Sequence, residues 1–213
     1  MLEKSTVLIA DYLPSAQVNQ SKEIMFDTLF KMVGTKNLTE NTKNDIVGKL
    51  MYFIHSEKSI HMVRNWLETG HVGLSDLPFV QNRPLSQKQQ YDLVKSVCSI
   101  RNDKLVSQKQ KMDLLDKIAG KDKSLEGEKT RIFCKYAMPD LKVKEEGWKL
   151  ITNPKSDLSA KMREEIISAF QHPNQLDLVK NFTNGQYFDK FYDMFEGNSN
   201  KFFKHFYNTL MPK

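Results

Sequence analysis

Residues that break helices are scarce in this 213-residue sequence, which has nine glycines and seven prolines. So few turn-forming residues argue against an all-β sandwich and favour long helices. Cysteine is almost absent, and a disulfide framework cannot be built from Cys98 and Cys134, which indicates a reducing compartment. We expect each cysteine to occupy a small buried apolar position.

Long apolar runs are missing as well. No run approaches the roughly 18 residues that a membrane-spanning helix needs, and Met1-Leu2-Glu3-Lys4 does not start a signal segment. With 39% apolar and 27% charged residues, the composition is that of a globular chain rather than a disordered one. These features predict a cytoplasmic protein with no membrane partner.

Positive charge is not segregated, although the formal net charge is +6 and the isoelectric point is near 9.1. The densest run of lysines, residues 104–123, includes Asp113, Asp116 and Asp122. Interleaved opposite charges are typical of a solvated helix face, whereas nucleic-acid binding needs clustered positive charge. Nucleic acid is therefore not an expected partner.

Apolar residues recur three or four positions apart along most of the chain, which is the spacing of amphipathic helices. Ser86 and Ser159 stand where N-caps belong, and Pro139 separates two helices. No alternation of period two is long enough for a strand. The fold class is therefore predicted to be all-α, with helices over 21–33, from about 39, over 56–67, from 86, and over 107–119, 125–137, 141–151, 159–170, 175–195 and 199–210.

Short connections between helices of similar length favour antiparallel hairpins. Stacked hairpins would form an irregular HEAT/armadillo-like α-solenoid, and a compact irregular bundle is the alternative because repeats of fixed period are weak. We expect residues 1–213 to form a single α-helical repeat domain, with a loop at 69–85 as the one candidate break.

No catalytic or metal-binding constellation is visible. Zinc hydrolases often carry two histidines one helical turn apart, as in H-E-x-x-H. The five histidines are His55, His61, His71, His172 and His205. None of them forms such a pair, and the chain has no nucleophile elbow or phosphate-binding glycine loop. We predict no catalytic residue, no metal ligand and no cofactor in this chain.

Aromatic residues are concentrated near the C-terminus at helical spacing. One set comprises Phe188, Phe191, Tyr192 and Phe195, and the next comprises Phe202, Phe203, Phe206, Tyr207 and Leu210. Stripes of this kind usually bury one face of a helix. The alternative is a docking surface for another chain or domain.

Three short motifs follow one another in the second half of the chain. They are Asp122-Lys123-Ser124-Leu125-Glu126-Gly127, Ala137-Met138-Pro139 and Lys144-Glu145-Glu146-Gly147-Trp148. Upstream, Trp66-Leu67-Glu68-Thr69-Gly70 closes a predicted helix, and Phe170 lies near the end of another. In this order the motifs resemble the C-terminal helical domain of zinc aminopeptidases of the aminopeptidase N type, which includes puromycin-sensitive and endoplasmic-reticulum members.

The resemblance implies a non-catalytic domain that covers a catalytic domain in cis, encloses the peptide-substrate chamber and tunes access to it. The zinc and the catalytic residues of that family lie in domains outside this region. The alternative is a free-standing α-solenoid adaptor or structural subunit of a larger protein assembly, which the initial Met1 and the modest length favour.

The residues that carry the resemblance are predicted to be scaffold residues. They are Trp66, Gly70, Asp122, Ser124, Gly127, Ala137, Pro139, Lys144, Trp148 and Phe170. We expect Trp148 and Phe170 to lie in the core as large apolar groups, one on each of two helices. Lys144 is expected to face solvent, so that its truncation would cost little stability.

Overall fold

A computed structural model describes residues 13–35, 37–73, 83–172 and 175–212, and most of these residues are helical. In chain order the elements are α1 (Ser15–Val33), α2 (Glu40–Leu50), a 3-10 turn (Met51–Phe53), α3 (Glu57–Thr69), β1 (His71–Val72), β2 (Arg83–Pro84), α4 (Gln87–Cys98), α5 (Gln108–Ala119), α6 (Leu125–Ala137), α7 (Leu141–Ile151), α8 (Ala160–Phe170), α9 (Leu176–Lys180), a π-helical segment (Asn181–Gln186), α10 (Tyr187–Glu196) and α11 (Asn200–Leu210). The prediction of a mostly helical chain is confirmed, and every predicted helix overlaps an observed one.

Hydroxyl side chains explain why so many helix starts were predictable. At seven helix starts, the side-chain oxygen of a serine or threonine accepts a hydrogen bond from the backbone N–H three residues later. These capping residues are Thr39, Ser56, Ser86, Ser107, Ser124, Ser159 and Ser199. Two of these caps are reciprocal: the side-chain oxygens of Gln89 and Gln110 accept from the backbone N–H of Ser86 and Ser107, each at 2.9 Å. Each capping residue stabilises its helix by about 1 kcal/mol.

The segment predicted as a loop at 69–85 contains a small antiparallel sheet. β1 pairs with β2, with His71 opposite Pro84 and Val72 opposite Arg83. Gly70 ends α3 with a φ of 76°, a left-handed conformation that glycine adopts without strain. The prediction that the chain has no strand is wrong here, because two-residue strands are too short to show an alternating pattern. Residues 74–82 lie outside the described part.

The chain divides into two compact units. Of the described residues, those within 13–97 and 104–118 form the N-terminal unit, and those within 98–103 and 119–212 form the C-terminal unit. Both flanks of the candidate break at 69–85 belong to the N-terminal unit, so the division lies elsewhere. Whether the two units unfold together as a single domain stays a prediction.

Trp66 lies at the centre of the N-terminal unit. Its indole is fully buried and stacks on Phe26 and Phe30 of α1, with ring centroids 6.3 and 5.3 Å away. The indole N–H donates to the carbonyl of Gly73 at 2.9 Å. The tryptophan therefore joins α1 to α3 and to the end of β1, with its one polar atom satisfied.

Trp148 lies at the centre of the C-terminal unit, in which α8 packs against α6, α7 and α11. The Trp148 ring centroid is 5.7 Å from that of Phe170, 5.8 Å from Phe182 and 6.3 Å from Phe206. Trp148 and Phe170 are both buried, as expected from the sequence. The aromatic rings of four helical segments thus form one continuous core.

Lys144 does not face solvent, and the sequence-based prediction for it is wrong. The residue is 0% exposed, and its ammonium donates to the carbonyl of Tyr136 at 2.7 Å and of Ala169 at 3.4 Å. Residues four apart share a helix face, so Lys144 lies on the same buried face of α7 as Trp148. Burial lowers the pKa of Lys144 from 10.5 to about 7.

Substituting Gly127 with alanine is expected to destabilise the chain by about 1–3 kcal/mol. A Cβ at this position would lie 2.7 Å from the Asp122 carbonyl oxygen and 2.8 Å from the Asp122 Cβ, so the backbone must shift. The matched control is Gly48→Ala in α2, where a Cβ meets nothing within 4 Å. The control should stabilise the chain by about 0.5–1 kcal/mol. Urea unfolding followed by circular dichroism tests both, and equal effects of the two variants would contradict the clash.

Candidate functional site

The motif residues behind the family resemblance do not converge on one site. Trp66 and Gly70 belong to the N-terminal unit, and the other eight belong to the C-terminal unit. Of those eight, Lys144, Trp148 and Phe170 come together, with the lysine Nζ 5.9 Å from the centre of the Phe170 ring. This contact is a buried packing arrangement, so it positions helices rather than a substrate.

Asp122, Ser124 and Gly127 together build the start of α6. The Asp122 carboxylate accepts hydrogen bonds from the Ser124 backbone N–H at 2.8 Å and from its hydroxyl at 2.9 Å. The Ser124 Oγ in turn accepts from the Gly127 N–H at 3.2 Å. Because the Asp122 carboxylate and the Ser124 hydroxyl are both used at the start of the helix, helix initiation accounts for the D-x-S-x-x-G spacing.

Ala137 and Pro139 lie at the junction between α6 and α7. The buried amide of Gln175 donates to the carbonyls of Ala137 at 3.0 Å and Ser99 at 2.8 Å, which ties the end of α6 to residues 98–103. Pro139 stands just before Asp140, whose carboxylate caps α7. The Ala137 carbonyl therefore helps to hold this junction, and the scaffold role of Pro139 stays a prediction.

A serine–histidine contact that sequence spacing could not reveal joins α8 to α11. Ser168 Oγ lies 3.1 Å from His205 Nε2, and both atoms also contact the Glu164 carbonyl, at 3.0 and 3.2 Å. That carbonyl is an acceptor only, so the serine proton is already engaged and Nε2 must donate if it bonds there. A general base needs a free Nε2 lone pair towards the serine, and the serine hydroxyl here donates to the Glu164 carbonyl instead, so this geometry does not favour an activated serine. Across the described residues, no cluster of three potential metal ligands occurs either.

An open cavity of about 500 Å³ in the N-terminal unit lies between α2 and the start of α4, beside β2. Its principal charged group is Arg83, whose guanidinium contacts the Glu40 carboxylate at 2.7 Å and the Asn44 side-chain oxygen at 3.1 Å. The Glu40 carboxylate within the wall compensates the guanidinium charge, which lowers the attraction of the cavity for an anion, while the buried Arg83 Nη1 has no hydrogen-bond partner among the described residues.

The aromatic stripe of α10 points outward, contrary to the expectation that it is buried. Phe188, Tyr192 and Phe195 are 62%, 65% and 52% exposed. The buried face of α10 is formed by Tyr187 and Met194, and the Tyr187 ring stacks on Phe206 of α11 at 5.1 Å. On α11 the stripe is buried as expected at Phe202, Phe206 and Leu210.

Together the exposed and half-buried rings of α10 and α11 form one surface, here called the aromatic face: Phe188, Phe191, Tyr192, Phe195, Phe203 and Tyr207. Phe203 is its centre, with its ring 5.1 Å from Phe191 and 5.2 Å from Phe195 in edge-to-face geometry. Such contacts hold the rings in place before any partner arrives.

The apolar area of the aromatic face is large for a surface patch. Four of its side chains leave about half of their surface uncovered, which at about 200 Å² per aromatic side chain gives roughly 400 Å². Patches of that size on a monomer are often functional because water contact with so many rings is unfavourable. This makes the aromatic face the best candidate for a functional site among the described residues.

The two edges of the aromatic face carry opposite charge. On α10 the acidic residues are Asp189, Asp193 and Glu196, against the single base Lys190. On α11 the only ionisable residues besides His205 and Tyr207 are Lys201 and Lys204. The aromatic rings thus lie between an acidic helix and a basic one.

Comparison of the chain with models of known protein families finds no match, and comparison with curated proteins finds none. None of the helices that the structure describes is long and apolar enough to cross a lipid bilayer. The aromatic face is therefore identified as a candidate site from the geometry and chemistry of this chain alone.

Proposed function

We propose that this chain is a non-catalytic helical domain that docks onto a protein surface through its aromatic face. The observation that carries the proposal is the exposure of Phe188, Tyr192 and Phe195 on one helix, next to a well-packed core. Burying such rings is favourable by about 25 cal/mol per Å², and aromatic residues are enriched at protein interfaces. The scaffold roles of the motif residues support a domain without bond chemistry of its own.

One form of this function is the C-terminal helical domain of a zinc aminopeptidase, as the motif resemblance suggests. The domain would cover a catalytic domain in cis, enclose the peptide chamber and limit which peptides reach the zinc bound there. Its contribution would be exclusion of water and domain closure. An α-solenoid arrangement of its hairpins belongs to the same proposal.

The second form is a free-standing adaptor or structural subunit of a larger assembly, which docks in trans. The mass of the native polypeptide separates the two forms. A native polypeptide of 24.8 kDa favours the adaptor, whereas a much heavier one that contains a zinc domain favours the aminopeptidase.

In the aminopeptidase, Tyr192→Asp should slow hydrolysis of long peptides more than hydrolysis of a single-residue amide.

Photo-crosslinking in the native protein tests the docking function. With p-benzoylphenylalanine at position 192, ultraviolet light should produce crosslinks to a defined protein surface, which mass spectrometry can map. Position 52 is the matched control, because Tyr52 is also an exposed aromatic residue, at 41%, but lies in the N-terminal unit. Crosslinks at 192 but not at 52 are the expected result. The same probe can be placed separately at positions 188 and 195. An absence of crosslinks from all three positions would contradict the proposal.

A further inference from the structure

We infer that the partner on the aromatic face is a second copy of this chain, related by a two-fold axis parallel to α10 and α11. The inference rests on the proposed docking function in its second form, in which the chain docks in trans, and adds the identity of the partner. It follows from the separation of charge across the face, from the way a two-fold axis pairs the two helices, and from the area available.

The acidic groups of α10 form one edge. Each residue of a helix advances by about 100°, so Asp189, Asp193 and Glu196 lie within about 60° of one another. On the opposite side of the exposed rings, α11 contributes Lys201 and Lys204, also about 60° apart. Neither lysine is in an ion pair with another described residue, so both ammonium groups are available to a partner.

The relative direction of the two helices fixes what a two-fold axis does. The Phe195 ring contacts Phe203, whereas Phe191 reaches Tyr207, so α10 and α11 run antiparallel. In a two-fold dimer, the same surface patch of both copies makes the contact. An axis parallel to the helices places α10 on α11 of the second copy, which sets each acidic edge against a basic edge. An axis perpendicular to them places α10 on α10 and opposes like charges.

The area of the face agrees with a dimer. A stable interface takes about 800 Å² from each partner, with an apolar centre and a polar rim. The aromatic rings supply roughly half of that area. The charged edges and Met211, which is 40% exposed at the end of α11, surround the rings and supply the rim.

The first test is the mass of the purified chain in solution. Sedimentation equilibrium should give twice 24.8 kDa at micromolar concentration. Phe188→Ser with Tyr192→Ser should weaken the dimer by about 30-fold or more, since buried aromatic residues dominate such interfaces. Tyr52→Ser is the control and should leave the dimer intact. Unchanged circular dichroism shows that the variants are folded.

The second test reverses the charge of one edge at a time. Asp189→Lys with Asp193→Lys makes both edges basic, and Lys201→Glu with Lys204→Glu makes both edges acidic. Each variant alone should form a dimer about tenfold weaker at low salt. An equimolar mixture of the two should form a heterodimer, which restores the acid–base pairing. A dimer that neither variant weakens would overturn the proposed axis, and failure of the mixture to associate more tightly than its components would overturn the pairing of the charged edges.

The remaining outcomes separate this inference from the docking function. A wild-type monomer at all concentrations, together with crosslinks from position 192 to another protein, overturns the second copy and keeps the docking function. A monomer without crosslinks overturns both. Binding to phosphatidylserine vesicles that Phe188→Ser and Tyr192→Ser abolish would replace both with a lipid surface.

Discussion

Truncation of Trp148 to alanine should lower the free energy of unfolding by about 3–5 kcal/mol, a large part of the roughly 5–15 kcal/mol typical of a domain. The indole is buried and contacts the rings of Phe170, Phe182 and Phe206, so its removal leaves a cavity among rings held by separate helical segments. The indole N–H has no hydrogen-bond partner among the described residues. The loss therefore comes from packing alone.

Two control variants isolate that packing effect. Trp148→Phe keeps one six-membered aromatic ring in the core and removes three ring atoms, among them the unpaired N–H nitrogen, so it should cost about 1–2 kcal/mol, well below the cost of Trp148→Ala. Tyr192→Ala removes an aromatic ring that is 65% exposed and should change stability by less than about 0.5 kcal/mol in the monomer. Urea unfolding followed by circular dichroism measures all three. A Trp148→Ala variant as stable as wild type would contradict the core assignment.

The same variant tests whether the two units form one cooperative domain. Trp66 and Trp148 are the only tryptophans, one in each unit. In Trp148→Ala the remaining fluorescence therefore comes from Trp66 in the N-terminal unit. If the chain unfolds as the single domain predicted from sequence, the Trp66 transition shifts together with the circular dichroism. A Trp66 transition that stays at its wild-type midpoint would show two independent domains.

The stability of the chain should rise with pH above about 7 because of Lys144. Burial lowers the pKa of this lysine to about 7 in the folded state, against 10.5 when exposed. Below pH 7 the amine is protonated in both states. Between pH 7 and 10.5 the unfolded chain binds the proton and the folded chain does not, so each pH unit adds up to about 1.4 kcal/mol of stability.

Comparison with Lys144→Met measures this effect. Between pH 7 and 9 the free energy of unfolding of wild type should rise by roughly 2 kcal/mol relative to the variant. The variant also leaves the Tyr136 carbonyl without its donor, a constant cost of about 1–3 kcal/mol that does not depend on pH. Lys149→Met, at an exposed position of the same helix, should keep the wild-type pH dependence. Parallel curves for wild type and Lys144→Met would contradict the prediction.

Much of the fold is determined locally, and the sequence was sufficient for that part. A helix start depends on a hydroxyl and an amide three residues away, so Ser86 and Ser159 could be assigned as caps from the sequence. The 3.6-residue spacing places apolar side chains on one face whatever the helix packs against. These two local signals predicted the helices but not the two-residue strands β1 and β2, which depend on pairing across residues 73–82.

Some helices carry two faces that could each be buried. In those helices only the tertiary structure decided which face is buried. On α10 an aromatic stripe at 188, 192 and 195 competes with Tyr187 and Met194, and both sets have helical spacing. The packing of Phe206 against Tyr187 buries the second set and leaves the first exposed. Lys144 is the reverse case, because a charged residue that is usually exposed is buried where the carbonyls of Tyr136 and Ala169 can accept its hydrogen bonds. Spacing along one helix fixes which residues share a face, but a neighbouring helix determines whether water reaches it.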